Sequence, residues 1–104
     1  MRVLHFDVNR QLVRAAPDCD FSGIVPGSMG YLVAQFSFDD EWSGCKKAAS
    51  FYGVRGLEEA RPIVNGVCEI PAHVLDGRFF EVRVTGIREG FKITTNKMIV
   101  RQEG

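Results

Sequence analysis

Apolar and polar residues alternate with a period of two along most of this chain. The clearest alternating segments are residues 31–38, 78–85 and 91–101, and residues 1–8 and 11–15 form a predicted first strand pair. This period is typical of strands that bury one face. The inward-facing side chains predicted to form a shared core are Phe36, Phe38, Trp42, Phe51, Phe80, Val82 and Val84.

Turn residues separate these strands. Asn65-Gly66 lies between two apolar runs and predicts a type I′ hairpin, because both central residues of that turn need a positive φ. Gly90 follows Arg88-Glu89 and predicts a three-residue hairpin loop. The segment 71–77 begins with Pro and ends with Gly, which is typical of a single helical turn.

Two segments are less regular. Residues 17–30 contain Pro26 and three glycines, which predicts a loop, with one short edge strand around residues 21–25 as an alternative. Residues 41–52 place apolar side chains at both helical and strand spacing. Because Ser43-Gly44 interrupts the helical pattern, we expect a turn followed by a strand there.

Together these signals predict an all-β fold with seven to nine strands and at most one short helical turn. Turn signals recur about every 8–12 residues, which is typical of an antiparallel sandwich or barrel. A chain of 104 residues is long enough for one hydrophobic core and too short for two. We therefore expect a single domain over residues 1–104.

Charge and hydropathy argue against two classes of partner. The chain has 13 Lys and Arg against 13 Asp and Glu, whereas a dedicated nucleic-acid binder usually carries a basic excess. No apolar run reaches the roughly 18 residues that span a bilayer, and residues 1–7 turn polar too soon for a signal peptide. We expect neither nucleic acid nor a membrane as a partner.

The three cysteines do not form a recognisable framework. Cys19, Cys45 and Cys68 are an odd number at wide spacings, which suits neither a disulfide set nor a zinc site. We expect three free thiols, as in a reducing compartment, with Cys68 as a small core residue. His5 and His73 are the only partners available to a catalytic thiol, and nothing in the sequence places either beside a cysteine.

Other candidate chemical motifs are incomplete. The Gly-rich segment 26–30 lacks the Lys-Ser/Thr of a phosphate loop, and Asp39-Asp40-Glu41 lacks the ligand alternation of a calcium loop. Ser28, His73 and Asp76 could be combined as a triad, but no nucleophile-elbow motif supports them. We expect no enzymatic activity, no cofactor and no metal.

The order of the signals resembles that of a known family. Its members are small β domains in structural proteins of phages and prophages of Gram-positive bacteria, of the baseplate or tail-fibre type. The resemblance covers residues 32–100. The residues that carry it are Phe36-x-Phe38, Glu41-Trp42-x-Gly44, Lys47-x-Ala49-x-Phe51, Val67-Cys68-x-Ile70-Pro71, Val74-Leu75, Phe80-x-Val82-x-Val84-x-Gly86 and Ile93-Thr94-Thr95-Asn96.

The resemblance implies an immunoglobulin-like antiparallel β-sandwich that acts by assembly rather than by catalysis. Its partners would be itself and other virion proteins, and its location the virion, or the bacterial host cytoplasm before assembly. Such domains are usually followed by a fibrous region, whereas this chain ends at Gly104. The alternative is therefore a small phage-encoded soluble binder that captures a host protein or small molecule, such as an anti-defence inhibitor.

Four aromatic residues are candidates for a protein interface. Tyr31, Tyr52, Phe79 and Phe91 lie on or near faces that the alternation assigns to solvent. Exposed aromatics and exposed strand edges favour association, and a neutral chain repels its copies only weakly. We expect a homo-oligomer with closed symmetry.

Overall fold

A computed structural model describes residues 1–103. Within them, nine strands are joined by loops and two short 3₁₀ turns. The strands are β1 (Arg2–Asn9), β2 (Leu12–Ala15), β3 (Leu32–Phe38), β4 (Lys46–Tyr52), β5 (Glu58–Ile63), β6 (Val67–Glu69), β7 (Phe79–Arg88), β8 (Phe91–Thr94) and β9 (Met98–Arg101).

The strands form two sheets, which confirms the predicted all-β class. The first sheet has the order β2-β1-β3-β6, and the second has the order β5-β4-β7-β8. Strand β9 also pairs with β7, along residues 79–82, while β8 pairs along residues 85–88. The long strand β7 therefore carries two short partners in succession on one side.

The first sheet contains one parallel pair, which corrects the antiparallel prediction. Strands β1 and β3 run side by side in the same direction, with Leu4 beside Ala34 and Phe6 beside Phe36. Alternation along a strand determines which face is buried but not the direction of its neighbour. Here residues 16–31 return the chain to the starting end of β1, which makes parallel pairing possible.

A single apolar core lies between the two sheets. Of the seven side chains predicted to be buried, six are buried, including Trp42, Phe51 and Phe80. Phe38 is the exception, because it lies at the end of β3 and is only partly buried against the core. The ammonium group of Lys47 lies 5.0 Å from the centre of its ring.

The Asn65-Gly66 turn is confirmed, with φ of 53° and 78° at its two residues. Val64 and Val67 pair directly across it. The hairpin does more than join two neighbouring strands, since β5 belongs to the second sheet and β6 to the first. It therefore closes one side of the two-sheet body.

Two helical turns are present in residues 1–103, so the expectation of at most one is wrong. The turn Ala72–Asp76 lies within the predicted segment 71–77. The second turn, Asp40–Trp42, forms because the Asp39 carboxylate accepts the Glu41 N–H at 3.1 Å. Strand β4 follows it, which confirms the predicted turn followed by a strand over residues 41–52.

The polar residues that interrupt the last predicted strand have a structural role. The Thr95 hydroxyl oxygen accepts the Val84 N–H at 3.0 Å, where the chain passes from β8 to β9. The Asn96 backbone N–H donates to the Gln11 carbonyl at 3.1 Å, beside the edge strand β2. The Thr95 bond keeps the chain attached to β7 within the second sheet, and the Asn96 bond closes the other side of the body, between the edges of the two sheets.

Candidate interaction surfaces

The four candidate interface aromatics do not form one patch. Tyr52 and Phe79 lie on the outer face of the second sheet, where Tyr52 is paired with Glu81, two residues along β7 from Phe79. Tyr31 lies just before β3 at one end of the molecule and is 47% exposed. Two separate surfaces, rather than one, therefore carry these aromatic side chains, which are half-buried on the sheet face and exposed at Tyr31.

Phe91 differs from the expectation that all four face solvent. It shares the side of β8 that Ile93 occupies, and it packs partly buried against the core. The Arg88 guanidinium lies 3.9 Å from the centre of its ring. Phe91 therefore contributes packing at the edge of the core, and the Arg88 guanidinium covers part of its ring.

The outer face of the second sheet carries most of the exposed charge of that sheet. We call it the basic face. Its cations are Lys46, Arg83, Lys92, Lys97 and Arg101, and its carboxylates are Glu58 and Glu81. Across residues 1–103, none of these five cations lies within ion-pair distance of a carboxylate. The basic face therefore has an excess of unpaired positive charge.

Apolar side chains lie among these cations. Ile87 is 54% exposed and is flanked in register by Lys46 on one side and Lys92 on the other. Ile99 is 47% exposed and is paired with Glu81. Ile87 and Ile99 lie at separate positions on the face, which therefore presents two large aliphatic side chains among its cations.

Tyr52 is held by its neighbours at the end of β4 on this face. Its hydroxyl donates to a Glu58 carboxylate oxygen at 3.3 Å, and the Lys97 ammonium lies 4.1 Å from the centre of its ring. Partial burial, reinforced by the negative charge of Glu58, raises the pKa of the Tyr52 hydroxyl above its ordinary value. The hydroxyl therefore stays protonated at neutral pH and remains a donor.

The long connection between β2 and β3, residues 16–31, forms the second surface, and we call it the end loop. The Arg2 guanidinium binds three of its carbonyl oxygens, those of Asp20, Ser22 and Gly23, at 2.6–3.3 Å. Ile24 is buried in the core, and its carbonyl accepts the Glu103 N–H. No strand forms in residues 21–25, and the loop is instead fixed by these bonds.

Apart from Ser22, the exposed side chains of the end loop are apolar, aromatic or acidic. Val25 is 60% exposed and Met29 81% exposed, close in sequence to Tyr31. Asp18 and Asp20 are its only charged residues. Hydrogen bonds from the Ser22 hydroxyl and backbone N–H lower the pKa of the Asp20 carboxyl, so that residue is ionised at neutral pH.

The free edge of the second sheet is protected against pairing. Strand β5 contains Pro62, which has no N–H to donate, and directs Glu59 and Arg61 inward, where they form an ion pair. The other carboxylate oxygen of Glu59, Oε1, lies 3.1 Å from the Nδ1 atom of His73. Inward-pointing charges and proline are known devices against edge-to-edge pairing, so the faces of the molecule offer more contact surface than this edge.

The candidate catalytic residues remain apart. His73 and Asp76 line one cleft of about 240 Å³ beside the turn Ala72–Asp76, whereas Ser28 lines a different cleft in the end loop. Burial raises the pKa of the Cys68 thiol to about 12, which makes it a poor nucleophile. The described residues contain no group of three or more His, Cys, Asp or Glu placed to hold a metal.

Residues 1–103 contain no helix long and apolar enough to cross a membrane. Comparison with models of known protein families, with curated proteins and with solved structures finds no match to this chain.

Proposed function

We propose that this protein is a non-enzymatic structural or assembly module of a phage or prophage particle, acting through protein–protein contacts. The observation that carries the proposal is the basic face, which combines exposed isoleucines and half-buried aromatics with five unpaired cations. A sheet face of this kind supports contact with another protein better than it supports catalysis, which needs convergent reactive groups in a concave site.

The order of sequence signals over residues 32–100 supports the phage assignment, with a baseplate or tail-fibre-type location in the virion. The immunoglobulin-like sandwich is part of the same proposal. Two packed sheets support it, whereas the parallel pairing of β1 with β3 departs from an all-antiparallel arrangement.

The test is whether the protein is found in assembled particles. The source strain is induced, particles are purified by density-gradient centrifugation, and their proteins are quantified by mass spectrometry against the major tail protein. We expect this protein at a fixed, stoichiometric ratio that survives a high-salt wash. Absence from intact particles that contain the other tail proteins would overturn the proposal.

The same experiment distinguishes the structural module from the alternative function, a soluble binder. A soluble binder that captures a host protein or small molecule would accumulate in the cleared lysate and not in particles. A host cytoplasmic protein of similar size from the same strain is the control for lysate proteins that co-purify non-specifically with the particles. Recovery of the protein in the lysate alone would favour the binder.

A further inference from the structure

A groove lies where β3 ends and β4 begins, beside the hairpin that joins β5 to β6, and we call it the lysine groove. Nine residues line it, from the ends of these strands and from the hairpin. Its volume is about 510 Å³, against about 240 Å³ for the cleft beside the turn Ala72–Asp76 and for the cleft in the end loop. This volume lies within the range of about 300–1,000 Å³ that is usual for small-molecule sites.

Lys47 places a positive charge in this groove. It lies on the inward side of β4, the side that Phe51 also occupies, and it pairs in register with Ile63. Of the four lysines, Lys47 alone is half-buried, and the other three are exposed. Its ammonium lies 5.0 Å from the centre of the Phe38 ring and donates to the Cys45 carbonyl at 3.2 Å. The fold therefore holds this charge against the end of the core.

No carboxylate of residues 1–103 neutralises Lys47. The ion pairs of these residues involve Arg10, Arg61 and His73, and none involves Lys47. The lining of the groove contains no Asp or Glu. An ammonium group has three N–H donors, and the protein accepts one of them here. A half-buried cation attracts an anion more strongly than an exposed one, because water and salt screen it less.

The rest of the lining is mainly apolar. Phe38 and Ile63 are partly buried against the core, and Pro62 and Val64 lie beside them in the lining. Lys46 also lines the groove, but the alternation of β4 directs its side chain to the outer face of the sheet. One inward cation among apolar walls is matched by one negative charge on an apolar molecule.

We infer that the lysine groove binds a small organic carboxylate with an apolar body. The carboxylate contacts the Lys47 ammonium, and the apolar body lies against Phe38 and Ile63. This inference goes beyond the proposed function and does not depend on it, because the groove is separate from the outer face of the second sheet that carries the protein contact.

Two other occupants fit the groove less well. Phosphate groups are usually held by several donors, such as an Arg fork or a row of backbone N–H groups, whereas a single ammonium lies on the inward side here. A stable protein interface uses about 20–30 residues on each side, and nine residues line this groove. Its size and its single inward charge favour a small monoanion.

A titration with defined probes tests the site. The probe is 3-phenylpropionate, its neutral counterpart is 3-phenylpropan-1-ol, and phenyl phosphate is the dianionic comparison. A molecule of this size binds with a Kd of about 1 mM, so titrations extend to about 10 mM. Binding to the ¹⁵N-labelled protein is followed by amide chemical shifts. We expect saturable shifts at Lys47 and Gly66, with the carboxylate bound about tenfold more tightly than the alcohol.

Variants of the lining locate the charge that is responsible. Lys47→Gln should weaken 3-phenylpropionate about tenfold and leave the affinity for the alcohol unchanged. Asn65→Asp adds a negative charge to the lining and should also weaken the carboxylate, while Asp-Gly forms the same type of turn as Asn-Gly. Arg14→Gln is the matched control, since it removes an exposed cation from the outer face of the first sheet and should bind like wild type.

The same amide spectra show whether each variant is folded. If Lys47→Gln does not fold, the comparison of carboxylate with alcohol on wild type and the Asn65→Asp variant decide the question. Equal affinity for the carboxylate and the alcohol would overturn the inference, as would unchanged binding by a folded Lys47→Gln variant, shifts confined to other surfaces, or no saturable binding. Tighter binding of phenyl phosphate would replace the carboxylate by a phosphate ester. None of these results depends on whether the protein is found in particles.

Discussion

The side chain of Asn96 pairs with the backbone of Val13 as a neighbouring strand would. Its Oδ1 accepts the Val13 N–H at 2.8 Å, and its Nδ2 donates to the Val13 carbonyl at 3.5 Å. Val13 belongs to β2, the edge strand of the first sheet, whereas Asn96 lies between two edge strands of the second. This amide group, together with the bond from the Asn96 backbone N–H to the Gln11 carbonyl, joins the two sheets where no strand crosses between them.

Removing this amide should destabilise the protein. We expect Asn96→Ala to lower the free energy of unfolding by about 1 kcal/mol, the usual net value of a hydrogen bond lost within a protein. Urea denaturation measures the change, and hydrogen exchange should show faster exchange at the Val13 amide. Asn9→Ala, an exposed asparagine in β1, is the matched control and should change stability by less than about 0.5 kcal/mol. Equal effects of the two substitutions would contradict a stabilising role for the hydrogen bonds between the Asn96 side chain and Val13.

Truncating the largest core side chains should remove a large part of the free energy of unfolding. Trp42 and Phe80 are both fully buried, and the Trp42 Nε1 also donates to the Arg10 carbonyl at 2.9 Å. We expect Trp42→Ala or Phe80→Ala to cost about 3–5 kcal/mol, against a total of about 5–15 kcal/mol for an ordinary domain. Denaturant midpoints that barely move for both would show that the core is elsewhere.

Gly86 should be coupled to Trp42. A Cβ at Gly86 would lie 2.8 Å from two atoms of the Trp42 ring, so a methyl group cannot fit unless the ring moves. We expect Gly86→Ala to cost about 1–3 kcal/mol through overpacking, and to cost less in a Trp42→Phe background. A double-mutant cycle measures this coupling. Strict additivity of the two changes would show that the ring and the glycine do not compete for space.

The three cysteines should differ in reactivity. They are free thiols, with Cys19 half-buried and Cys45 and Cys68 buried. Because the pKa of Cys68 is raised to about 12, its thiol is neutral at pH 8, and only a thiolate reacts readily. We expect native iodoacetamide labelling at pH 8 to modify Cys19 first and to spare Cys68 until urea is added. Peptide mass spectrometry reads each site, and rapid native labelling of Cys68 would contradict its burial.

Phe79 and Phe91 should separate association from folding. Phe79→Glu adds a carboxylate to the basic face, and we expect weaker self-association with an intact fold. Phe91→Glu places a charge against the core and beneath Arg88, and we expect a clear loss of stability instead. Light scattering and urea denaturation measure the two effects. If the molar mass measured by light scattering at high concentration is the same for Phe79→Glu and wild type, or if wild type is monomeric at that concentration, the basic face is not a self-association surface.

Local patterns in the sequence predict most of the strands, the Asn65-Gly66 hairpin and the turn after Pro71, although the single strand predicted over residues 91–101 is divided into β8 and β9. Each depends on neighbouring residues, whose spacing and φ preferences are visible in the sequence itself. The sequence also shows that Thr95 and Asn96 interrupt the apolar alternation of residues 91–101, but it does not show which hydrogen bonds these two residues make. A polar side chain that interrupts a strand pattern can mark the end of a strand, a functional site or a hydrogen bond to another strand. The position of β2, whose Val13 N–H donates to the Asn96 side chain, shows that it is the last of these.

Relationships between distant segments could not be predicted in the same way. The parallel pairing of β1 with β3 depends on how residues 16–31 return the chain, which no local period records. Phe91 is predicted from the alternation to lie on or near a solvent face, yet it lies on the same inward side of β8 as Ile93. A net charge of zero does not predict the basic face, since its cations come from four different strands and from Lys97 in the connection between β8 and β9.

The parallel pair also governs the order in which the chain can fold. Strand β1 forms a hairpin with β2 at once, but its ladder with β3 must wait for the whole end loop to be made. The opposite sheet, which covers the apolar side chains of Leu4, Phe6 and Val8, is completed only after β7, since β7 joins β4 to β8 and β9. A nascent chain halted before Arg88 therefore exposes half of a core, and such intermediates are where aggregation or chaperone capture would begin.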